Sequence, residues 1–391
     1  VRKVVLSSHS LRTFIRIEYL KLGVLIRICT ALATILLCGG MPAAGSPPNT
    51  EADTPQYPSP ERSTGGLDTL RGTFQEGGAL SLITENLRWA VDIAGRIKTN
   101  EDSGFTNKQF FGIDLLKVVS TEKRDIGTLI VQLYVDRDSE APAFRETWDF
   151  KVREFHFNYH VTRRGGVNLR IGHIQIPYGL NLPPITGGTL RQFDTGPNLG
   201  HKVDWGTSIN GVNPNFVYEV ALTRGSGFDY KDKGNPYLVS GRIGTPNQRP
   251  FVLGASALHG KVLNFKNGNI INRTRIGIDA RWQGGPIDAL AQVSLGQDNS
   301  IGKPKTDIAN YFLDLSWRTP ADSLLLYAQG RLGMERLSAS SRGAWTKKSS
   351  LTVGAQLALA RHYWISADYQ HELTRSGAPD VVRFELRYRF F

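Results

Sequence analysis

The sequence predicts an all-β protein, a transmembrane antiparallel β-barrel of about sixteen strands with an N-terminal signal peptide. Three observations carry this. Apolar and polar side chains alternate with a period of two from Arg88 to the end of the chain, connections alternate between short and long, and aromatic residues gather near strand ends. The last eleven residues, VVRFELRYRFF, show the alternation most plainly. Val382, Phe384, Leu386, Tyr388 and Phe390 share one face, and Arg383, Glu385, Arg387 and Arg389 the other. Strand side chains point alternately to opposite faces, so lipid can wet one face of such a segment and water the other.

The chain opens on a basic leader containing Arg2, Lys3, Arg12, Arg16 and Lys21. An apolar core from Ile28 to Leu37 follows, then Ala43, Ala44 and Gly45 as a small-residue cleavage site. Residues 1–45 therefore read as an export signal, with Val1 fitting a non-AUG or over-extended start. Both cysteines, Cys29 and Cys38, lie inside it. The processed chain has none, which excludes disulfides, thiol catalysis and cysteine metal sites. Removal of the leader takes away six bases and one acid, and the net charge falls from +12 to +7. No basic run resembles a nucleic-acid-binding arm.

Residues 46–87 follow as a tether. Ser46 to Arg62 is rich in proline, serine, threonine and acids, and Gly65 to Asn86 could sit inside a pore as a plug. The barrel domain is read as 88–391. Apolar residues make up 40% of the whole chain and mean hydropathy is −0.26. Beyond the leader no stretch reaches the roughly 18 apolar residues of a membrane helix. A barrel passes the same test, because half of each strand is polar.

The alternation places strands near 88–98, 109–118, 127–136, 147–162, 166–176, 203–210, 215–223, 237–245, 250–258, 273–283, 286–296, 308–318, 323–333, 349–360, 363–373 and 380–391. A slip of phase at Arg153–Glu154 predicts a bulge. From the fourth strand onward, links after even-numbered strands are short, such as Gly284–Gly285 and Arg361–His362. Those after odd-numbered strands are mostly longer, such as Arg224–Pro236 and Met334–Lys348. Short turns on one rim and long loops on the other are the arrangement of outer-membrane barrels. Trp89, Trp148, Tyr159, Trp205, Trp282, Trp317, Tyr363 and Trp364 lie near strand ends, where interfacial girdles sit.

Sixteen strands enclose an aqueous lumen. Phasing turns Arg275, Arg281, Arg383, Arg387 and Arg389 inward, with further bases and a smaller number of acids. The balance predicts a weak preference for anions, screened within ~8 Å by physiological salt. Ion pairing that merely keeps the strands solvated would use the same residues. The longest link, Pro177 to Lys202, carries five glycines and four prolines. Folded inward it would narrow the pore, which makes Arg191, Asp194, His201 and Lys202 the candidate constriction residues.

The segment RIGHIQIPYGLN, Arg170 to Asn181, resembles the fifth-strand segment of the phosphate-selective porins, where a basic, glycine-containing strand runs into a Pro-aromatic-Gly step. The loop pattern and aromatic C-terminus are similar too. The resemblance implies a sixteen-stranded barrel, assembled as a homotrimer, whose fifth-to-sixth-strand loop constricts the pore. Phosphate selectivity does not carry over, since that loop has only Arg191 and Lys202 as bases, with Asp194 among them. The C-terminus also departs from the usual register, which here runs through Arg387 and Arg389.

No catalytic residue, metal site or cofactor is expected. His156 and His160 share a strand face, but four residues at ~3.3 Å each hold them ~13 Å apart. The reading is a porin: an outer-membrane channel of a Gram-negative-type bacterium for ion transport and passive diffusion of small anionic or neutral solutes, with membrane lipid around it. Rival readings are a sheath for a cytochrome partner in an electron-transfer conduit, an adhesive barrel with a blocked lumen, and a barrel-bound hydrolase. Ion conductance by the pure protein separates the channel from the sheath.

Overall fold

A computed structural model describes residues 86–100, 104–121, 124–139, 148–162, 165–180, 188–193, 199, 202–228, 234–263, 269–300, 304–337, 344–374 and 380–390. The segments read as leader and, up to residue 85, as tether and plug lie outside the described residues. Within them no helix is long and apolar enough to cross a membrane. The crossing elements are strands.

Sixteen antiparallel strands form one closed barrel in which each pairs with its neighbours in sequence. They are β1 (Leu87–Asn100), β2 (Gly104–Thr121), β3 (Arg124–Asp138), β4 (Asp149–His160), β5 (Asn168–Gln175), β6 (Val203–Val212), β7 (Val217–Thr223) and β8 (Tyr237–Gly244). The second half holds β9 (Phe251–Leu263), β10 (Ile270–Gly284), β11 (Ile287–Ser300), β12 (Thr306–Arg318), β13 (Leu324–Leu337), β14 (Thr346–Ala360), β15 (Tyr363–Glu372) and β16 (Val381–Phe390). Each corresponds to one strand of the sequence reading. Closure comes from β16 pairing with β1, Asp92 opposite Arg389 and Ile97 opposite Phe384. It leaves no edge with unpaired backbone groups, which hydrocarbon could not satisfy.

The expected bulge is present. Gln132 pairs with Glu154 and Leu133 with Val152, so the register shifts by one residue at Arg153. The extra residue moves the outward apolar set from Phe150 and Val152 to Phe155, Phe157 and Tyr159.

Several strands on the long-loop rim run further than the sequence suggested. β2 begins at Gly104 instead of near 109, and only 101–103 separate it from β1. The apolar alternation stops at the edge of the oily band, while backbone pairing continues beyond it through Thr106, Asn107 and Lys108. Hydrogen bonding between strands needs no apolar side chain. The opposite rim keeps its short turns, down to two residues at 122–123, 285–286 and 361–362.

The outer face is apolar and exposed, as at Ile278, Leu313 and Leu386, whereas inner-face Asp92, Asp279, Asp314 and Glu385 are buried. Outward aromatics Trp89, Phe251, Trp282, Trp317 and Tyr363 ring the short-turn rim. Trp364 departs from that ring. It sits opposite Arg387, on the lumenal face.

Candidate functional site

The inner wall is mostly polar and charged, and it carries an apolar patch on β8–β12. Leu238, Val252, Leu258, Val262, Leu290 and Phe312 all take inward positions and are buried. An apolar side chain facing a water-filled lumen is unfavourable unless something covers it. The cover is the β5–β6 connection, 176–202. Its Ile176, Tyr178 and Leu199 pack with Leu238, Leu258 and Val262, and its Leu180 and Phe193 with Val252, Leu290 and Phe312. The described residues of the loop therefore lie inside the barrel.

Its root turns inward at Tyr178 and Gly179. The Tyr178 hydroxyl hydrogen-bonds Ser294 Oγ at 2.5 Å, and the Gly179 amide donates to Ser256 Oγ at 2.9 Å. Gly277 leaves room for the phenol, since a Cβ there would stand 2.6 Å from the Tyr178 hydroxyl oxygen. Gly179 has φ +65°, and a Cβ on it would meet Gln292 Oε1 at 2.4 Å. A Gly179→Val substitution combines left-handed strain of ~1–2 kcal/mol with that clash. It is expected to loosen the loop root without opening the barrel, read as faster protease cleavage within 176–202 and unchanged heat-resistant migration on gels. Equal cleavage of both proteins would show that the turn does not hold the loop.

Further along, at Gly188, the loop reaches the barrel seam. The Gly188 carbonyl accepts from Arg96 Nη2 at 3.4 Å and from Arg387 Nη2. Arg191 then turns back to β12, where Nε donates to Asp314 Oδ2 at 3.1 Å and Nη2 contacts Oδ1. The Gln192 carbonyl accepts from Gln329 Nε2 at 3.1 Å and Arg331 Nη2 at 2.8 Å. Lys202 returns to the loop itself, Nζ donating to Gln192 Oε1 at 2.7 Å. Asp194 and His201 lie outside the described residues. The contacts of its described residues run along the inner wall from Leu238 of β8 round to Arg387 of β16, and cross the seam to Arg96 of β1.

All five arginines assigned to the lumen sit beside carboxylates. Arg275 is 2.8 Å from Asp298, Arg281 2.8 Å from Asp288 and Arg383 2.7 Å from Asp368. Arg387 lies 3.5 Å from both Asp92 and Glu385. Arg389 is 3.2 Å from Asp92 and 2.5 Å from Asp114. On the opposite wall Asp136 takes Lys108 at 2.9 Å and Lys151 at 2.5 Å. Positive and negative charges thus alternate along the lumen in place of a bare cationic ladder.

Sequence reasoning omitted Asp136, Glu154 and Asp298 from the lumenal acids, and it did not anticipate the inward apolar patch. The patch had a signal. Ala289-Leu290-Ala291 and Tyr311-Phe312-Leu313 are apolar on both strand faces, which an inner wall bathed in water does not require. The loop carbonyls of Gly188 and Gln192 carry no side-chain signal at all.

The closed sixteen-stranded barrel is similar in fold to solved structures of outer-membrane proteins and porins. OmpT of Vibrio cholerae, an in-vitro folded outer membrane protein in its trimer form, matches with TM-score 0.58 at 14% identity, over 78% of this chain and 99% of that one. The OmpF–daunomycin complex of Salmonella typhi gives TM-score 0.59 at 12% identity, over 78% and 97%. An anion-selective porin from Comamonas acidovorans gives 0.55 at 12%, over 78% and 99%. No protein-family model matches the chain, and no curated protein matches it.

Proposed function

We propose that the chain is an outer-membrane porin, a water-filled channel through which small hydrophilic solutes diffuse down their gradients without chemistry or energy input. The observation that carries this is the β5–β6 loop, fixed inside the closed barrel along one wall. It narrows the lumen, whose inner wall carries paired charges from β1 round to β16. Pore width and the lumenal charges then decide what passes. In this reading Arg191 latches the loop to Asp314, Lys202 braces its return, and Asp194 and His201 complete the constriction.

The lumenal arginines give a weak preference for anions. Pairing with carboxylates cancels most of their field, and salt screens what is left beyond ~8 Å. Phosphate selectivity has no support in an arrangement where each of these cations lies beside a carboxylate. A sheath for a cytochrome needs a clear bore, which the loop occupies. The trimer form of the Vibrio cholerae OmpT structure supports a homotrimer here.

The test is single-channel recording of the purified protein in a planar bilayer. Discrete conductance steps are expected, with a reversal potential in asymmetric KCl displaced slightly toward that of chloride. Absence of steps would sink the channel. A displacement toward potassium would sink only the charge argument.

A further inference from the structure

The outward face of β7–β10 ends, on the long-loop rim, in a polar and cationic ledge. Tyr237 pairs with Lys261, and Lys261 with Asn272. One step nearer the membrane centre, Val239 pairs with His259 and His259 with Thr274. All these positions alternate with buried inward residues such as Leu238, Leu258, Gly260 and Val262, so they point out of the barrel. Lys261 is exposed. His259 Nδ1 hydrogen-bonds Thr274 Oγ1 at 2.9 Å. Arg224 adds a further base just past β7. Among the described residues the outward face of these four strands bears no carboxylate. The outward Arg336 of β13, by contrast, is matched by Asp307 at 3.0 Å.

Height places the ledge. Phe251, in the aromatic ring of the short-turn rim, lies ten residues from Lys261 on β9. That is ~33 Å along the strand at ~3.3 Å per residue. With the ~40° tilt of such barrels it becomes ~25 Å of height, the full apolar band. Lys261 therefore stands where hydrocarbon gives way to headgroups on the long-loop side. Directly below come Leu222 and Val239, then a row in which Gly241 and Ala257 sit between Val220 and Ile276. These small side chains leave a shallow channel. Nearer the short-turn rim an apolar groove of about 530 Å³ is lined by Ile243, Leu253, Ala255, Ile278 and Ala280.

Cations at headgroup height above an apolar channel match one kind of molecule. The geometry points to a seat for an anionic, phosphate-bearing lipid of the leaflet on the long-loop side. Its phosphate rests on Lys261, with His259 and Tyr237 beside it, and an acyl chain lies over Gly241 and Ala257. A basic side chain near a membrane surface attracts anionic headgroups in this way. The inference rests on the outer-membrane channel reading for its orientation.

The experiment is native mass spectrometry of the full barrel in neutral detergent, titrated with phosphatidylglycerol and, separately, with phosphatidylcholine. The expected result is selective retention of phosphatidylglycerol, weakened roughly tenfold by Lys261→Glu. Ala257→Phe, which fills the channel and keeps the charge, is expected to weaken it as well. Unchanged conductance and heat-resistant migration verify that both variants fold. Equal retention of the two lipids, or full retention by Lys261→Glu, would overturn the seat. Displacement by inorganic phosphate alone would overturn the lipid as its occupant. Selective lipid retention by a protein that conducts no ions would leave the seat standing and sink the channel instead.

Discussion

Open-channel current through an Arg191→Ala variant is expected to become several-fold noisier, with brief partial closures, and its β5–β6 loop to become cleavable by protease. Arg191 and Asp314 are both buried, at 7% and 0% exposure. Removing the guanidinium leaves Gln329 Nε2 donating to the carboxylate at 2.7 Å. Breaking a buried ion pair by deleting one partner costs about 3–5 kcal/mol. The cost falls on the loop, because the barrel's own ladders do not pass through this pair. The apolar root still packs on Val252, Leu290 and Phe312, so the loop stays inside the barrel and fluctuates within the lumen.

Two companion variants separate this from a general loss of folding. Arg191→Lys keeps the charge but lacks the planar fork that bonds both carboxylate oxygens, so it should fall between wild type and alanine. Combining Arg191→Ala with Asp314→Ala removes the stranded charge and should recover part of the loss. Quiet, wild-type current from Arg191→Ala would show that the latch does not hold the loop.

How much of this was legible in the sequence depends on what each residue faces. The strands of the oily band could be read because lipid on one side and water on the other impose a strict period of two, as at Ile276, Asp279 and Trp282. The bulge was legible for the same reason, since Arg153 interrupts the period. Strand ends on the long-loop rim were not, because above the band both faces of β2 meet water and backbone pairing alone extends it. In the lumen, alternation assigned arginines to the inner face. It could not show that Arg275 reaches Asp298 or that Arg389 spans Asp92 and Asp114, because partners across strands depend on register. Register is fixed by turns and closure, beyond the view of a single strand. The loop's position had only the doubly apolar stretches around Leu290 and Phe312 to betray it. Its tip is held through backbone carbonyls that every residue possesses.

The outer face admits a sharper trial than the lumen. Leu313→Arg is expected to cost about 2–4 kcal/mol and to lower folding yield into bilayers, because it puts a guanidinium at the middle of the lipid band. Leu313 is 57% exposed on β12, between Ala291 and Gly330 on the flanking strands. It lies four residues above Trp317 of the aromatic ring, ~10 Å in height at ~40° of tilt and so near the centre of a ~25 Å band. The small neighbours leave no protein atoms to shield the charge. Trp317→Arg, at the rim, should cost only ~0–1 kcal/mol by the same depth dependence. A soluble sheet predicts the reverse order, since exposed Leu313 would accept arginine freely and a half-exposed tryptophan has more packing to lose. Urea unfolding of both variants from phospholipid vesicles decides between them. Leu313→Arg proving the milder would mean that water, not lipid, wets this face.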